Sequence, residues 1–343
     1  MNNKIGIIKD SRYFDHRIAD KSLENPNRIK NLYLALGKPS YADALTYYRP
    51  REATTKEVQD VHSKFYIDQI RELALSTDPH AYDRDTYLME ETVYTAQLAA
   101  GGCLVLVDKI MTGEVDYGFA LVRPPGHHAE PGRGMGFCVL NNAAITAAYL
   151  RRTYGLDRIL IFDFDVHHGN GTQEAFYDSD RVLVASFHQK NLFPYSGGAN
   201  EIGRDRGRGY NINVPVFPQF GNLEYTYLTG RLIGAIVEQY LPQIILLSAG
   251  YDGHAEDSIS DILLTTPWFT SCARMLKQFA RDACEKRILF ILEGGYNPAV
   301  LEHSVLATLD GLMEKAFPVV GISPSERAER LLSSHPAHAF WSY

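Results

Sequence analysis

A chain of 343 residues is long enough for one large α/β domain or two ordinary ones, so a small scaffold stapled by disulfides or a metal is excluded. Its 45% hydrophobic and 22% charged residues exclude wholesale disorder. The 41 acidic against 34 basic side chains leave a net charge of −7, which opposes nonspecific binding to nucleic acid or an anionic membrane and makes small or cationic ligands easier partners.

Short runs rich in aliphatic and β-branched residues predict buried strands at 4–8, 118–122, 158–164, 182–187, 210–214, 243–248 and 287–292. Helical patterns lie between them at 92–106, 141–154, 223–239 and 266–284. Strands that are apolar throughout and alternate with helices imply an α/β fold with a parallel sheet covered on both faces. With no repeat and no Gly/Ser linker, one domain is expected over 1–343, its core spanning about 4–320 before a short C-terminal tail. The apolar run at 5–8 is too short for a signal-peptide core, and no apolar run reaches the roughly 18 residues of a membrane helix. A cytoplasmic location is the expectation. Cys103, Cys138, Cys272 and Cys284 have no CxxC spacing and are read as buried free thiols.

Polar residues crowd the carboxyl ends of three predicted strands, where open parallel sheets place their sites. The first strand runs into Asp163-Phe164-Asp165-Val166-His167-His168, the second into Ser248-Ala249-Gly250-Tyr251-Asp252, and the third into Glu293-Gly294-Gly295-Tyr296. Asp165 and His167, two apart at a strand end, can point to one face and form a metal corner, with Asp252 as a third ligand. One imidazole and two carboxylates suit zinc or ferrous iron. Taken alone, Asp165 and His167 are equally a hydrogen-bonded capping pair; Asp252 tips the reading to metal.

Arg123-Pro124-Pro125-Gly126-His127-His128 follows another strand, and adjacent histidines on a stiffened loop supply a base for an attacking water and an acid for a leaving amine. Tyr296, after two glycines, offers a phenol to a developing oxyanion, although a core tyrosine after a turn is the commoner reading.

These segments together resemble the zinc-dependent histone deacetylase family, in its bacterial or archaeal type, which includes acetylpolyamine amidohydrolases and acetoin-utilisation deacetylases. RPPGHHAE, GMGFCVLNNAAI, DFDVHHGNGTQ, GRGYNINVP, LSAGYDGH and LEGGYN stand in the family's order between about residues 4 and 302. The resemblance implies the arginase–deacetylase α/β fold, with a central eight-stranded parallel sheet. It implies Zn2+, with Fe2+ as the alternative in the cell, on Asp165, His167 and Asp252. His127 falls on the electrostatic partner, His128 on the general base and acid, Asn170 on the second histidine's partner, and Tyr296 on the carbonyl-polarising tyrosine. Asp163 falls on the carboxylate that orients the first histidine. With Ser186 and the main-chain oxygens of Asp165, His167 and Phe187, it also matches a structural K+ site. Gly136, Phe137, Phe193 and Ile259 fall on the substrate tunnel, and Arg28 on an arginine of the acetate channel.

The implied activity is hydrolysis of the amide of an N-acetylated amine, foremost acetyl-lysine in proteins, to free amine and acetate. Partners would be such a lysine or a small acetylated amine, with no nucleic acid and no membrane, and a homo-oligomer is open. An acetylpolyamine amidohydrolase is the alternative. Against it, Ile259 occupies the position aligned with an acidic polyamine gatekeeper; Asp83 and Asp85 could sit at the rim and hold substrate main-chain amides or a distal amine, but a solvated loop is the commoner reading. A two-manganese ureohydrolase is more distant, because the position two after His167 is Gly169 and supplies no further ligand.

Overall fold

The computed structural model describes residues 4–17, 22–42, 44–75, 80–315 and 319–343. Segments that are apolar on both sides pair side by side, because only a sheet covered on each face removes both rows of side chains from water. Seven such segments and one more polar edge strand form one all-parallel sheet: β1 Ile5–Ile8, β2 Leu45–Tyr48, β3 Tyr117–Ala120, β4 Ile159–Asp163, β5 Val182–Gln189, β6 Asn211–Val216, β7 Ile244–Ala249 and β8 Ile288–Leu292. Their spatial order is β2-β1-β3-β8-β7-β4-β5-β6. Seven were expected from the sequence. The eighth, β2, was not: it is an edge strand with only Leu45 fully buried, so Leu45-Thr46-Tyr47-Tyr48 carries no apolar run.

That order positions the site. The four central neighbours β3, β8, β7 and β4 are the strands followed by Arg123 to His128, Glu293 to Tyr296, Gly250 to Asp252, and Phe164 to His168. Because the strands are parallel, all four loops leave from the same edge of the sheet, at its middle. The chain passes from β3 to β4 across β8 and β7, so a crevice opens where the polar motifs meet.

Helices surround the sheet. Helix α1, Glu90–Met111, packs on β1, β3 and β8 beside α2, Asn142–Tyr154, while α3, Thr266–Ala283, pairs with α4, Pro298–Leu312. Among the described residues α1 is the one helix long and apolar enough to cross a membrane, but 67% of its most apolar stretch is buried in the fold. The helix expected over 223–239 runs as Asn222–Leu228 and Gly234–Tyr240, joined by a wide π-helical turn at Thr229–Ile233. The expected tail is instead packed. Ala328 and Leu332 of helix Glu326–Ser333 join the core with Ala337 and Trp341, and the indole of Trp341 donates to the Gly209 carbonyl at 2.7 Å. Burying one such aromatic is worth about 2 to 3 kcal/mol. All four cysteines are buried and unpaired, as expected.

Candidate active site

Asp165 and His167 come together differently from the sequence expectation. Both lie beyond the end of β4, so strand alternation does not align them; the loop does. Asp165 Oδ1 accepts the His167 backbone N–H at 2.9 Å and stands 3.0 Å from His167 Nδ1. Asp252, beyond β7, brings Oδ2 to 3.2 Å from the same nitrogen and anchors its Oδ1 on the Val166 N–H at 3.0 Å. Ligand atoms of the three side chains all lie within 4.8 Å of one another, and the group is buried.

The electrostatics of this trio fit a cation. Asp252 Oδ2 is buried and receives no well-formed hydrogen bond, so in the absence of an ion only the protonated His167 ring, 3.2 Å away, offsets its charge. Burial and the Asp165 charge push the Asp252 carboxyl up to about 6. Burial alone would deprotonate His167, yet Asp165 and Asp252 hold its proton up to about 9. A divalent ion held by the three side chains would take the place of that proton and satisfy both carboxylates. Gly294 is required beside them, since a Cβ there would stand 2.1 Å from Asp252 Oδ2 and 2.6 Å from Asp165 Oδ2. Its N–H donates to Asp165 Oδ2 at 2.8 Å.

His127 and His128 are buried with ring centroids 4.0 Å apart, yet they face opposite surroundings. His127 Nδ1 meets Asp163 Oδ2 at 2.9 Å, and its Nε2 lies 3.8 Å from Asp165 Oδ1. Burial works against its charge, but Asp163 and Asp165 outweigh it and hold the imidazolium up to about 10. His128 Nδ1 meets only a neutral amide oxygen, that of Asn170 at 2.8 Å. Burial, then the charges of His127 and His167, drive its proton affinity well below the ordinary value. One histidine is therefore held charged and its neighbour neutral.

Tyr296 stands two residues past Gly294, its backbone N–H and that of Asn297 bound by Asp257 Oδ2 at 2.6 and 3.1 Å. Its ring lies 5.7 Å from Phe137 and 4.8 Å from the buried Arg28 guanidinium. Arg28 also donates to the Gly295 and Glu293 carbonyls, each at 2.6 Å. Phe137 is held in the left-handed region at φ 66°, with its N–H on Thr86 Oγ1 at 3.0 Å. A bulky residue there carries strain of about 1 kcal/mol or more, which the surrounding contacts must offset.

A cavity of about 450 Å³ connects these groups to solvent. His128, His167 and Tyr296 line it together with the aromatic rings of Phe137 and Phe193, Gly136 and Ile259. Phe193 meets His128 edge-on at 5.1 Å. Asp83 and Asp85 correct the sequence reading, because they line this cavity instead of standing in a solvated loop apart from it. Asp83 Oδ1 accepts the N–H groups of Asp85 and Thr86, and that turn folds the segment over the mouth. Ser186, next to Asp163 across β5 and β4, is buried and pairs with His188 Nδ1 at 2.9 Å.

Sequence reasoning missed several supporting residues. Glu293 accepts the N–H groups of Gly126 and His127 at 2.6 and 3.1 Å and the Ser248 hydroxyl at 3.1 Å, tying three loops together; burial raises its carboxyl to about 7. It stands within LEGGYN, so its position was visible but its partners were not. Glu24, bridging Arg28 and Arg123 in the interior, and Asp257 carry no motif signal at all.

Comparison with known proteins fits this geometry. Residues 22–312 match the histone deacetylase domain. Histone deacetylase 14, chloroplastic, of Arabidopsis thaliana is 37% identical over 273 residues, 77% of this chain and 64% of its own length. A probable deacetylase of Archaeoglobus fulgidus is 35% identical over 295 residues, covering 85% of this chain and 81% of its own. The histone deacetylase-like amidohydrolase of Pseudomonas aeruginosa is 32% identical over 291 residues, 84% of this chain and 76% of its own. The crystal structure of the HDA15 HD domain matches 99% of this chain and 95% of its own with a TM-score of 0.91 at 32% identity. The chain thus spans less than two thirds of the first of these relatives. Its eight parallel strands and surrounding helices are the arginase–deacetylase fold. By the domain match and these relatives together, the chain belongs to the histone deacetylase family.

Proposed function

We propose that this protein is a metal-dependent deacylase that hydrolyses the amide of an N-acetylated amine, with acetyl-lysine in proteins as the substrate class. The observation that carries the reading is the meeting of Asp165, His167 and the unsatisfied Asp252 Oδ2 at the base of an aromatic-walled cavity, beside one neutral and one charged histidine. Phe137 and Phe193 suit a linear alkyl chain, which a lysine side chain provides. Asp165, His167 and Asp252 would hold the ion; by donor type zinc or ferrous iron fits. When bound, it supplies Lewis acidity to the scissile carbonyl. We also assign the potassium site to Asp163, Ser186 and the main-chain oxygens of Asp165, His167 and Phe187.

The side chains then have separate tasks. His128 Nε2, bare because Nδ1 is committed to Asn170, takes the proton of the attacking water and returns it to the leaving amine. His127, kept charged by Asp163, stabilises the negative charge that develops during attack. The Tyr296 hydroxyl donates to the developing oxyanion; burial holds its proton far above the ordinary phenol range, so it remains a donor. Gly169 fits this reading and not a ureohydrolase, since a Cβ there would lie 2.3 Å from Asp163 Oδ2.

Tyr296→Phe is expected to lower kcat by about 10² to 10³ with metal content and KM little changed, because one oxyanion donor is worth roughly 3 to 4 kcal/mol. Normal turnover in this variant would remove the phenol from the mechanism. One observation favours a second substrate class: Asp83 and Asp85 line the cavity, together with Arg84 and Arg133, and their carboxylates would suit a distal ammonium, as an acetylated polyamine carries. A turnover panel of acetyl-lysine peptides, N-acetylpolyamines and longer acyl-lysines separates the two. Higher kcat/KM on the peptides supports the first reading, and a preference for polyamines that Asp83→Asn with Asp85→Asn abolishes supports the second.

A further inference from the structure

The sequence leaves His128 with an amide partner, Asn170, and an amide is a poorer guide than a carboxylate. A carboxylate accepts from the imidazole whichever way it turns, whereas an amide flipped by 180° presents NH2 in place of oxygen. Facing that NH2, His128 would carry its proton on Nε2 and point a donor, not a base, into the cavity. The amide must therefore be fixed from its nitrogen end.

Asn170 Nδ2 donates to Glu130 Oε1 at 2.8 Å, and it also lies 3.3 Å from Met135 Sδ and 3.5 Å from the His128 carbonyl. Three acceptors surround the nitrogen, and the opposite end faces the imidazole. Glu130 is the one charged group among them, and a hydrogen bond to a carboxylate is about twice as strong as one between neutral groups. Glu130 is itself fixed: its backbone N–H and carbonyl pair with Arg133 across a short bridge, and its carbonyl meets the His62 ring at 3.0 Å.

We infer that Glu130 is a positioning residue for the reaction, locking the Asn170 amide so that His128 carries its proton on Nδ1 and keeps Nε2 free. The inference rests on the role of His128 in the proposed deacylase. The chain His128–Asn170–Glu130 restores through an amide the carboxylate that the sequence lacks at the second histidine. The lock depends on a group at Glu130 that can only accept; an amide there, which can itself flip and donate, holds Asn170 less firmly.

The test compares Glu130→Ala with Glu130→Gln in the full chain. Glu130 is only half-buried, so neither change disturbs the core. In Glu130→Ala, kcat on the best substrate of the panel is expected to fall about tenfold with KM and metal content unchanged. Glu130→Gln, whose side-chain oxygen accepts from Asn170 in one of its two amide orientations, is expected to fall by less, about threefold. Independently of activity, nitrogen-15 NMR of the His128 ring is expected to report the Nδ1–H tautomer in the native chain, and a mixture with the Nε2–H tautomer that is greater in Glu130→Ala than in Glu130→Gln. An unchanged tautomer in Glu130→Ala, or equal losses in both variants, overturns the lock. Loss of function in His128→Ala with no effect in Glu130→Ala leaves the deacylase reading standing and removes this inference alone. Full activity in His128→Ala removes the deacylase role itself.

Discussion

Replacing His128 by alanine is expected to lower turnover by at least about 10³, because a positioned acid–base group contributes about 10² to 10⁴ and this one serves in both proton transfers. Metal content and substrate affinity are expected to survive, since His128 is outside the Asp165–His167–Asp252 trio. His127→Ala is expected to cost less, about 10 to 10² in kcat, as loss of a fixed charge and not of a proton carrier. The environments support this order. Burial, His127 and His167 keep His128 deprotonated at neutral pH, while Asp163 and Asp165 hold His127 protonated to about 10 against its own burial. A pH–rate profile of each variant checks the assignment. If His127→Ala is the less active enzyme and His128→Ala keeps both limbs of the bell, the two roles are exchanged.

His167→Ala and Asp252→Ala are each expected to abolish stoichiometric metal binding and, with it, hydrolysis. Loss even of a group that merely orients a ligand costs about 10- to 100-fold in affinity, and loss of one of three ligands costs more. A thermal measurement distinguishes this from unfolding. In the metal-free state Asp252 still holds the Val166 N–H and faces His167, so Asp252→Ala is expected to melt below the metal-free native chain but to keep one cooperative transition. Added zinc is expected to raise Tm for the native chain, since ligand at 100 times Kd contributes about 2.7 kcal/mol, and to leave the variant unmoved. A zinc-dependent rise of equal size in Asp252→Ala would place the ion elsewhere.

How much of this was legible follows from which interactions are local. Asp165, His167 and Asp252 stand beside apolar strand ends, so strand prediction and the rule for parallel sheets together bring them to one edge. The same logic placed His127, His128 and Tyr296. It could not foresee that Asp165 and His167 meet through a loop, because local backbone hydrogen bonds, not strand pleating, set their angle. The β2 strand stayed hidden because an edge position needs little apolar sequence. Asp83 and Asp85 looked like a solvated loop because their folding over the cavity depends on a turn closed by the Asp83 side chain. The Glu130–Asn170 contact joins residues 40 apart in sequence and leaves no periodicity, although both lie within motifs that the sequence displays. The packed C-terminal segment was lost in the same way: Ala328 and Leu332 are spaced by four, but Glu326, Arg327, Glu329 and Arg330 leave little apolar content around them.

The central claim is that one divalent ion on Asp165, His167 and Asp252 is what makes this cavity hydrolytic. Titrating zinc into the chelator-treated native chain while measuring acetate released from an acetyl-lysine peptide tests it most directly. The account predicts no acetate without metal, and release that rises in proportion to added zinc and levels off at one ion per chain. Acetate release that persists in the fully chelated chain, or that requires two ions per chain to reach its plateau, would contradict it.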